Sequence, residues 1–419
     1  MSNHFPSVPW IKGTNIYEVN IRQYTAEGTF QSFQKHLSRL KSMGVKVLWL
    51  MPITPISTEV RQGALGSYYA CSSYTTINPE YGTLTDFENL VDEAHSLDIK
   101  IIIDWVANHT GWGHHWVTEH PDWYMKDALG NFTEENGWHD VIDLNYDITD
   151  MRKAMIDAMM FWVENYDIDG FRCDMAHLVP LDFWEEARSA CETIKHLFWL
   201  AECEEVNYHN VFDVTYAWEW MHVSEKLSKQ ASSVNDLYTV LHKYSQYPKD
   251  SYKLFFTSNH DENSWNGTEY EKYGEAAKVF AVLTCTWNGI PLIYSGQELP
   301  NCKRLKFFDK DEIMWTEDIQ LHQFYQTLLT VHASKCVAEG ETFNLPVSNN
   351  DVMAFIRKKE DEILLVILNF SAQEKIKIAI EHEWLAGKYE NVFSGLQYQF
   401  YASESFELMG FDYLVYKKI

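Results

Sequence analysis

Long hydrophobic runs are missing from this sequence. The longest, around Ile363 to Leu368, suits a β-strand and is far too short for a membrane span. Cysteine is sparse. The seven thiols, Cys71, Cys173, Cys191, Cys203, Cys285, Cys302 and Cys336, are odd in number and widely spaced, and no C-x-x-C occurs. That argues against a disulfide framework and for reduced thiols in a cytoplasmic protein. No charged n-region followed by an apolar h-region opens the chain, so no secretory signal is expected. Positive charge is also short. Lys plus Arg is 34 against 60 for Asp plus Glu, a formal charge of −26. A surface that acidic repels phosphate backbones and anionic lipid, which excludes nucleic acid and membrane partners and leaves neutral substrates. Internal repeats and low-complexity segments are absent. No G-x-G-x-x-G follows the first apolar run, which argues against an open doubly wound sheet.

What is present is an ordinary globular composition in 419 residues, with 46% hydrophobic and 22% charged residues. That length suggests two or three units, or one barrel with an appendage. Aromatics reach 15%, including 16 Trp, enough for core packing with some left for stacking platforms.

Short apolar runs recur at Asn15–Val19, Val45–Met51, Ile101–Asp104, Gly170–Asp174, Phe198–Glu202, Val211–Trp218, Leu254–Ser258 and Pro291–Ser295. Consecutive apolar positions suit strands buried on both faces of a parallel sheet. Between them, Phe30–Met43, Leu84–Leu97, Thr149–Tyr166, Leu181–Ile194, Val223–Tyr244, Glu271–Thr286 and Glu317–His332 read as amphipathic helices. Thr85 or Asp86 is the expected N-cap of the second. Cys203–Asn210 is too short for a full helix. Eight βα units predict a closed α/β barrel of the (β/α)8 type, over residues 1–109 and 146–338. The stretch 110–145, rich in Trp, His, Asp, Asn and Gly, reads as a small inserted subdomain after strand three. From 339 to 419, Val352–Arg357, Ile363–Leu368, Lys375–Ile380 and Tyr413–Tyr416 alternate with turn residues, which predicts a C-terminal antiparallel β-sandwich.

Four apolar runs end in polar clusters. These are Asp104-Trp-Val-Ala-Asn108-His109, Gly170-Phe-Arg172-Cys-Asp174, Leu200-Ala-Glu202 and Asn259-His260-Asp261-Glu262-Asn263. Any one carboxylate there has a plain explanation as a cap of the next helix. Together they place three carboxylates, two histidines and an arginine at the C-terminal rim of the barrel, where active sites of this fold sit. Such a set suits acetal hydrolysis, in which one carboxylate attacks and a protonated one donates to the leaving oxygen. Arg172, two residues before Asp174, points the same way on a strand and is expected to keep that carboxylate ionised. Glu202 follows apolar Phe198–Ala201, which would raise its pKa and suit it as the acid.

These motifs resemble the α-amylase superfamily of retaining glycoside hydrolases. Gly289-Ile-Pro-Leu-Ile-Tyr-Ser-Gly-Gln-Glu298, Val141-Ile-Asp-Leu-Asn145 and the stretch from Gly66-Ser-Tyr-Tyr-Ala70 to Asn78-Pro-Glu-Tyr-Gly-Thr83 extend the likeness to nearly the whole chain. The resemblance implies Asp174 as nucleophile, Glu202 as general acid/base and Asp261 as the third carboxylate gripping sugar hydroxyls. It implies Arg172, His109, His260 and Asp104 in the subsite of the reacting sugar, with Tyr69 stacking beneath it. The implied substrate is an α-glucan or malto-oligosaccharide, most naturally α-1,4-linked. A 4-α-glucanotransferase, an exo-acting α-glucosidase and a non-catalytic glucan-binding member stand as alternatives. In the family the residue matching Asn108 often helps hold a structural calcium. Here Asp174 is followed by Met175-Ala176-His177, without the family's Lys-His pair, and no acid cluster lies in the insert. Both departures argue against calcium, so no cofactor is expected. His114 and His115, adjacent in sequence, are expected to face opposite ways and make a poor zinc site. Trp112, Trp116, Trp123 and Trp138 read either as sugar platforms or as the insert's own core. Glu204, Trp218 and Trp220 read as rim residues.

Overall fold

A computed structural model describes residues 5–419; residues 1–4, where the reading about a leader begins, lie outside it. The eight apolar runs form eight parallel strands: β1 (Ile16–Val19), β2 (Val47–Leu50), β3 (Lys100–Trp105), β4 (Gly170–Cys173), β5 (Phe198–Ala201), β6 (Val214–Tyr216), β7 (Tyr252–Phe255) and β8 (Ile290–Tyr294). They close in chain order, with β1 hydrogen-bonded to both β2 and β8. Every residue of β1, β2, β4, β5, β6 and β8 is buried, which is why these runs are apolar on consecutive positions. Gly170 opens β4 beside β5. A Cβ built there would lie 2.0 Å from the Phe198 carbonyl oxygen, so only glycine lets the two strands pair at that point.

After β3 the chain leaves the barrel. Two short strands, His109–Gly111 and Val141–Asp143, pair antiparallel and bracket a short helix, His115–Glu119. Trp116 and Trp123 are buried edge to face, with centroids 5.0 Å apart, and form the interior of this excursion. Trp112 and Trp138 stay half-buried.

The C-terminal part has β9 (Glu341–Asn344), β10 (Val352–Lys359), β11 (Glu362–Asn369), β12 (Ile376–Glu381), β13 (Gly387–Asn391), β14 (Gln397–Phe400), β15 (Ser403–Leu408) and β16 (Tyr413–Lys418). Six form one antiparallel sheet in the order β9-β10-β11-β16-β13-β14, and β12 pairs with β15. The two-residue period of a strand sends alternate side chains to opposite faces. Val352, Ala354, Ile356, Leu365 and Ile367 meet Ile376, Ile378, Phe406 and Leu408 in the core between the two sheets. Met353, Phe355, Leu364, Val366 and Leu368 face the other way and join the barrel's core. Trp287 packs on Phe355 and Phe280 on Phe370, each pair at 4.9 Å. The longest apolar run of the chain is therefore a strand buried on both faces between two units.

Several local expectations differ from the structure. Thr83, not Thr85 or Asp86, caps the helix Leu84–Ser96. Its hydroxyl accepts the Asp86 N–H while the Asp86 carboxylate accepts the Thr83 N–H, a reciprocal capping box. Phe30–Met43 is two helices, Phe30–Gln34 and Leu37–Met43. Val223–Tyr244 also divides, into Trp218–Ser228 and Val234–Ser245, because Gln230 turns left-handed and Ser233 caps a new helix. The segment from Glu271 breaks at Gly274 (φ +54°), so its long helix is Ala277–Thr286. The last of the predicted helices begins at His322. Strands β9, β13, β14 and β15 have no counterpart in the sequence reading; β13 to β15 are polar on most positions and give little apolar signal. His114 and His115 do not face opposite ways: their rings stack at 4.6 Å, because His114 caps a helix that His115 begins.

Gly170→Ala tests the β4–β5 junction. The methyl group must force the strands apart, at an expected cost of about 3 kcal/mol, read as a lowered urea midpoint with an unchanged slope.

Candidate active site

The polar residues that end the strands converge on one guanidinium. Parallel register places Asp104 of β3 opposite Arg172 of β4, and Asp174 lies two residues further along the same strand direction. Arg172 is fully buried. Its Nη1 donates to Asp104 Oδ1 and to Asp174 Oδ1, each at 2.8 Å. Its Nε donates to the Tyr216 hydroxyl at 3.2 Å. Nη2 lies 2.8 Å from Glu202 Oε2 as an ion pair without hydrogen-bond alignment. The same Glu202 oxygen accepts the Met175 N–H at 2.9 Å.

A second chain of contacts runs from Asp104. Its Oδ2 accepts from Trp49 Nε1 and from the Tyr69 hydroxyl, both at 3.1 Å. Tyr69 in turn accepts from His260 Nε2 at 2.7 Å. His260 Nδ1 donates to Glu18 Oε1 at 2.5 Å, and Nε2 lies 3.2 Å from Asp261 Oδ2. Tyr69 stacks on His260 (5.5 Å between centroids) and on Phe307 (6.2 Å). Seven of the residues singled out in the sequence are thus joined by direct contacts: Tyr69, Asp104, Arg172, Asp174, Glu202, His260 and Asp261.

Burial sets the protonation states. It raises Glu202 to about 7, with the Asp174 and Asp261 charges adding to the rise and Arg172 opposing it. Burial also raises Asp174 and Asp104, each to about 6, against the pull of Arg172. Arg172 pulls Asp174 toward the ionised form, as expected from the sequence, but loss of hydration outweighs that pull and leaves the carboxyl above its usual range. Burial opposes charge on His260, but Asp261 and Glu18 outweigh it and hold the imidazolium well above its usual range. Asp261 also resists burial and ends below the usual carboxylate range, through the charge and hydrogen bond of His260. It is the most open of the three carboxylates, with 38% of its side chain exposed.

His109 and Asn108 lie beside this cluster with other partners. His109 is buried against Trp138 (5.3 Å, edge to face), and burial lowers its pKa to about 4, so it is neutral. Asn108 Nδ2 donates to Asp143 Oδ1 at 3.0 Å, while Asp143 Oδ2 accepts the Glu135 N–H. Calcium takes six to eight oxygens. Among the described residues no group of three acid, His or Cys side chains is placed to hold a metal, and one hydrogen bond, from Asn108 Nδ2 to Asp143 Oδ1, joins this pair.

Three partners escaped the sequence reading. Glu18 was the one charged residue in the run Asn15–Val19, a signal that was available. Trp49, under the Arg172 guanidinium at 4.8 Å, and Tyr216 look like ordinary core aromatics in sequence. Trp220 is fully buried and is not a rim residue. Glu204 instead caps the helix Trp218–Ser228 by accepting the Glu219 N–H, and Trp218 stacks on Tyr216 at 5.3 Å.

The raised pKa of Glu202 is a stability statement. A carboxyl whose folded pKa exceeds its unfolded value, here about 7 against 4.5, supports folding below the unfolded pKa and loses that support as pH climbs through the folded one. Glu202→Gln is therefore expected to be more stable than the parent by an amount that grows between pH 4.5 and 7 and then levels off. The ceiling is about 3 kcal/mol at 1.36 kcal/mol per pK unit. Denaturation midpoints of the two proteins across pH 4 to 8 check it; a pH-independent difference contradicts it.

Comparison with known proteins agrees with this geometry. The sequence family described as alpha amylase, catalytic domain, matches residues 12–128 and 119–327, and the maltogenic amylase C-terminal domain matches residues 344–415. Alpha-amylase MalA of Haloarcula japonica is 26% identical over 390 residues; the alignment covers 87% of this chain and 56% of that enzyme's length. Among solved structures, the maltogenic alpha-amylase AmyB from Thermotoga neapolitana superposes with a TM-score of 0.90 at 28% identity, covering 98% of this chain and 99% of that one. An alpha-amylase from Lactobacillus plantarum gives 0.89 at 29% identity with the same coverage. With the family's catalytic-domain match spanning the barrel and its strand-end carboxylates gathered on one arginine, the chain belongs to the α-amylase family of glycoside hydrolases.

Proposed function

We propose that this protein is a retaining glycosidase that cleaves α-1,4-glucosidic bonds of malto-oligosaccharides by double displacement. The observation that carries the reading is the buried Arg172 fork, which holds Asp174 and Glu202 in one charge cluster with Glu202 the weaker acid of the two. In the first step Asp174 attacks the anomeric carbon while Glu202 gives its proton to the leaving oxygen. Forming the glycosyl ester removes the Asp174 charge, one of the influences that raises Glu202. The pKa of Glu202 then falls, and it becomes the base that takes a proton from the incoming water. In this reading Asp261 and the His260 imidazolium grip hydroxyls of the reacting sugar; their contact with each other and that of His260 with Tyr69 support it. His109, kept neutral by burial, serves as a hydrogen-bonding partner there.

No step needs a metal, since both displacement and proton transfer belong to carboxyl groups of the chain. We place the enzyme in a reducing compartment, the cytoplasm, acting on oligosaccharides. All seven cysteines are free thiols and six are buried, which suits such a location. No helix among the described residues is long and apolar enough to cross a membrane. The relationship to a maltogenic alpha-amylase supports short α-glucans as substrates.

Time-resolved proton NMR with maltoheptaose tests the reaction. Early products are expected as α-anomers, and Asp174→Asn is expected to lower kcat by at least about 10⁴-fold. Early β-anomers would overturn the retaining mechanism, and products longer than the substrate would make the enzyme a glucanotransferase. The pH profile of kcat/KM is expected to be bell-shaped, falling below about 6 as Asp174 protonates and above about 7 as Glu202 ionises. Chelation with EDTA is expected to leave kcat/KM and the melting temperature unchanged. A loss reversed by added calcium would contradict the metal-free reading.

A further inference from the structure

The connections that leave the C-terminal ends of the barrel strands are very unequal. Those after β2, β3, β7 and β8 run over residues 51–83, 106–148, 256–276 and 295–321 before the next long helix. Those after β4, β5 and β6 are residues 174–180, 202–213 and 217 alone. Glu202 stands at the end of β5, in the middle of the short group. In a closed ring of eight, the strand opposite β5 is β1, flanked by β2 and β8.

The long connections are tied to one another around the β1 side of the ring. Leu65 N–H donates to the Phe308 carbonyl and Ala64 N–H to Asp309 Oδ1, both at 2.9 Å, joining the loops after β2 and β8. Leu305 N–H donates to Asn263 Oδ1 at 2.8 Å and Ser264 Oγ to the Leu305 carbonyl at 2.9 Å, joining the loops after β8 and β7. Gln62 Nε2 donates to Asp140 Oδ1 at 2.9 Å, joining the loop after β2 to the insert. The turn after β1 braces the structure from below. Buried Arg22 pairs with Glu80 and donates to the Gly66 carbonyl, and Gln23 Nε2 donates to the Lys306 carbonyl. The inner side of this wall is aromatic. Phe307 stacks on Tyr69, and Trp265 lies 5.3 Å from Phe307 and is 53% exposed.

The acid that protonates the leaving oxygen marks the reducing-end side of the substrate. The wall is therefore on the opposite, non-reducing side of the reacting sugar. We infer that the wall closes this side of the cleft, so that the enzyme admits only a short glycone and attacks malto-oligosaccharides from their non-reducing ends, with Phe307 and Trp265 forming the platform for the terminal sugar. The inference rests on the hydrolase reading above and adds to it the direction and position of attack.

The test uses maltoheptaose labelled at its reducing end with 2-aminopyridine, with and without a 4,6-O-ethylidene cap on the non-reducing glucose. The uncapped chain is expected to shorten by one fixed increment. The capped chain is expected to be cut at least about tenfold more slowly, the factor that about 1.4 kcal/mol of lost transition-state binding gives. Equal rates on both, with internal fragments of many lengths, would overturn the wall while leaving the hydrolase reading intact. Cleavage of neither would overturn both. Asp309→Ala removes the acceptor for the Ala64 amide at the loop junction. It is expected to raise the capped-to-uncapped rate ratio at an unchanged melting temperature; an unchanged ratio in a folded variant contradicts a role for this junction.

Discussion

A guanidinium with no access to water, facing three carboxylates, is the constraint on which the rest of the site depends. Burying Arg172 or any of Asp104, Asp174 and Glu202 alone would cost several kcal/mol, and each is tolerable only because the others are there. One cation cannot neutralise three buried anions. The surplus negative charge, in a dry environment, is relieved by holding a proton, and Glu202 has the highest pKa of the three. Burial and the neighbouring negative charges together raise Glu202 against the pull of one arginine, which is the property the proposed general acid requires.

The second cation of the site is built differently. His260 has a buried carboxylate on one side, Glu18, and the open carboxylate Asp261 on the other. Glu18 comes from β1, the strand farthest around the ring from Glu202. The same strand leads into the turn whose Arg22 and Gln23 hold up the loops overhead. One short segment therefore serves both the charge of the pocket and the shape of its rim. Strands supply the ionisable groups in fixed register, and connections supply the walls. This division follows from the barrel, whose strand ends converge while its loops are free to vary.

Much of this was legible in the sequence, for identifiable reasons. Strands buried on both faces leave unbroken apolar runs, so all eight barrel strands stood out, and the polar clusters ending four of the runs stood out against them. The helix breaks at Gln230 and Gly274 were hidden because apolar periodicity continues across a short turn. Strands β13 to β15 were hidden because they carry few apolar residues and leave most of their positions outside the core. Trp49 and Tyr216 were hidden because the side of a barrel strand that faces the site and the side that faces the core use the same aromatic residues.

The sequence by itself determined the barrel, the identity of the strand-end carboxylates and the arginine among them. These follow from local pattern, since apolar runs select buried strands and a two-residue spacing puts Arg172 and Asp174 on one side. Only the tertiary structure decided how the charges are shared, which carboxyl holds the proton and where the rim rises. Those depend on burial and on contacts between residues far apart in the chain: Glu18 with His260, Leu65 with Phe308, Gln62 with Asp140. Desolvation and loop-to-loop hydrogen bonds exist only once the ring has closed, and a linear pattern carries no trace of them.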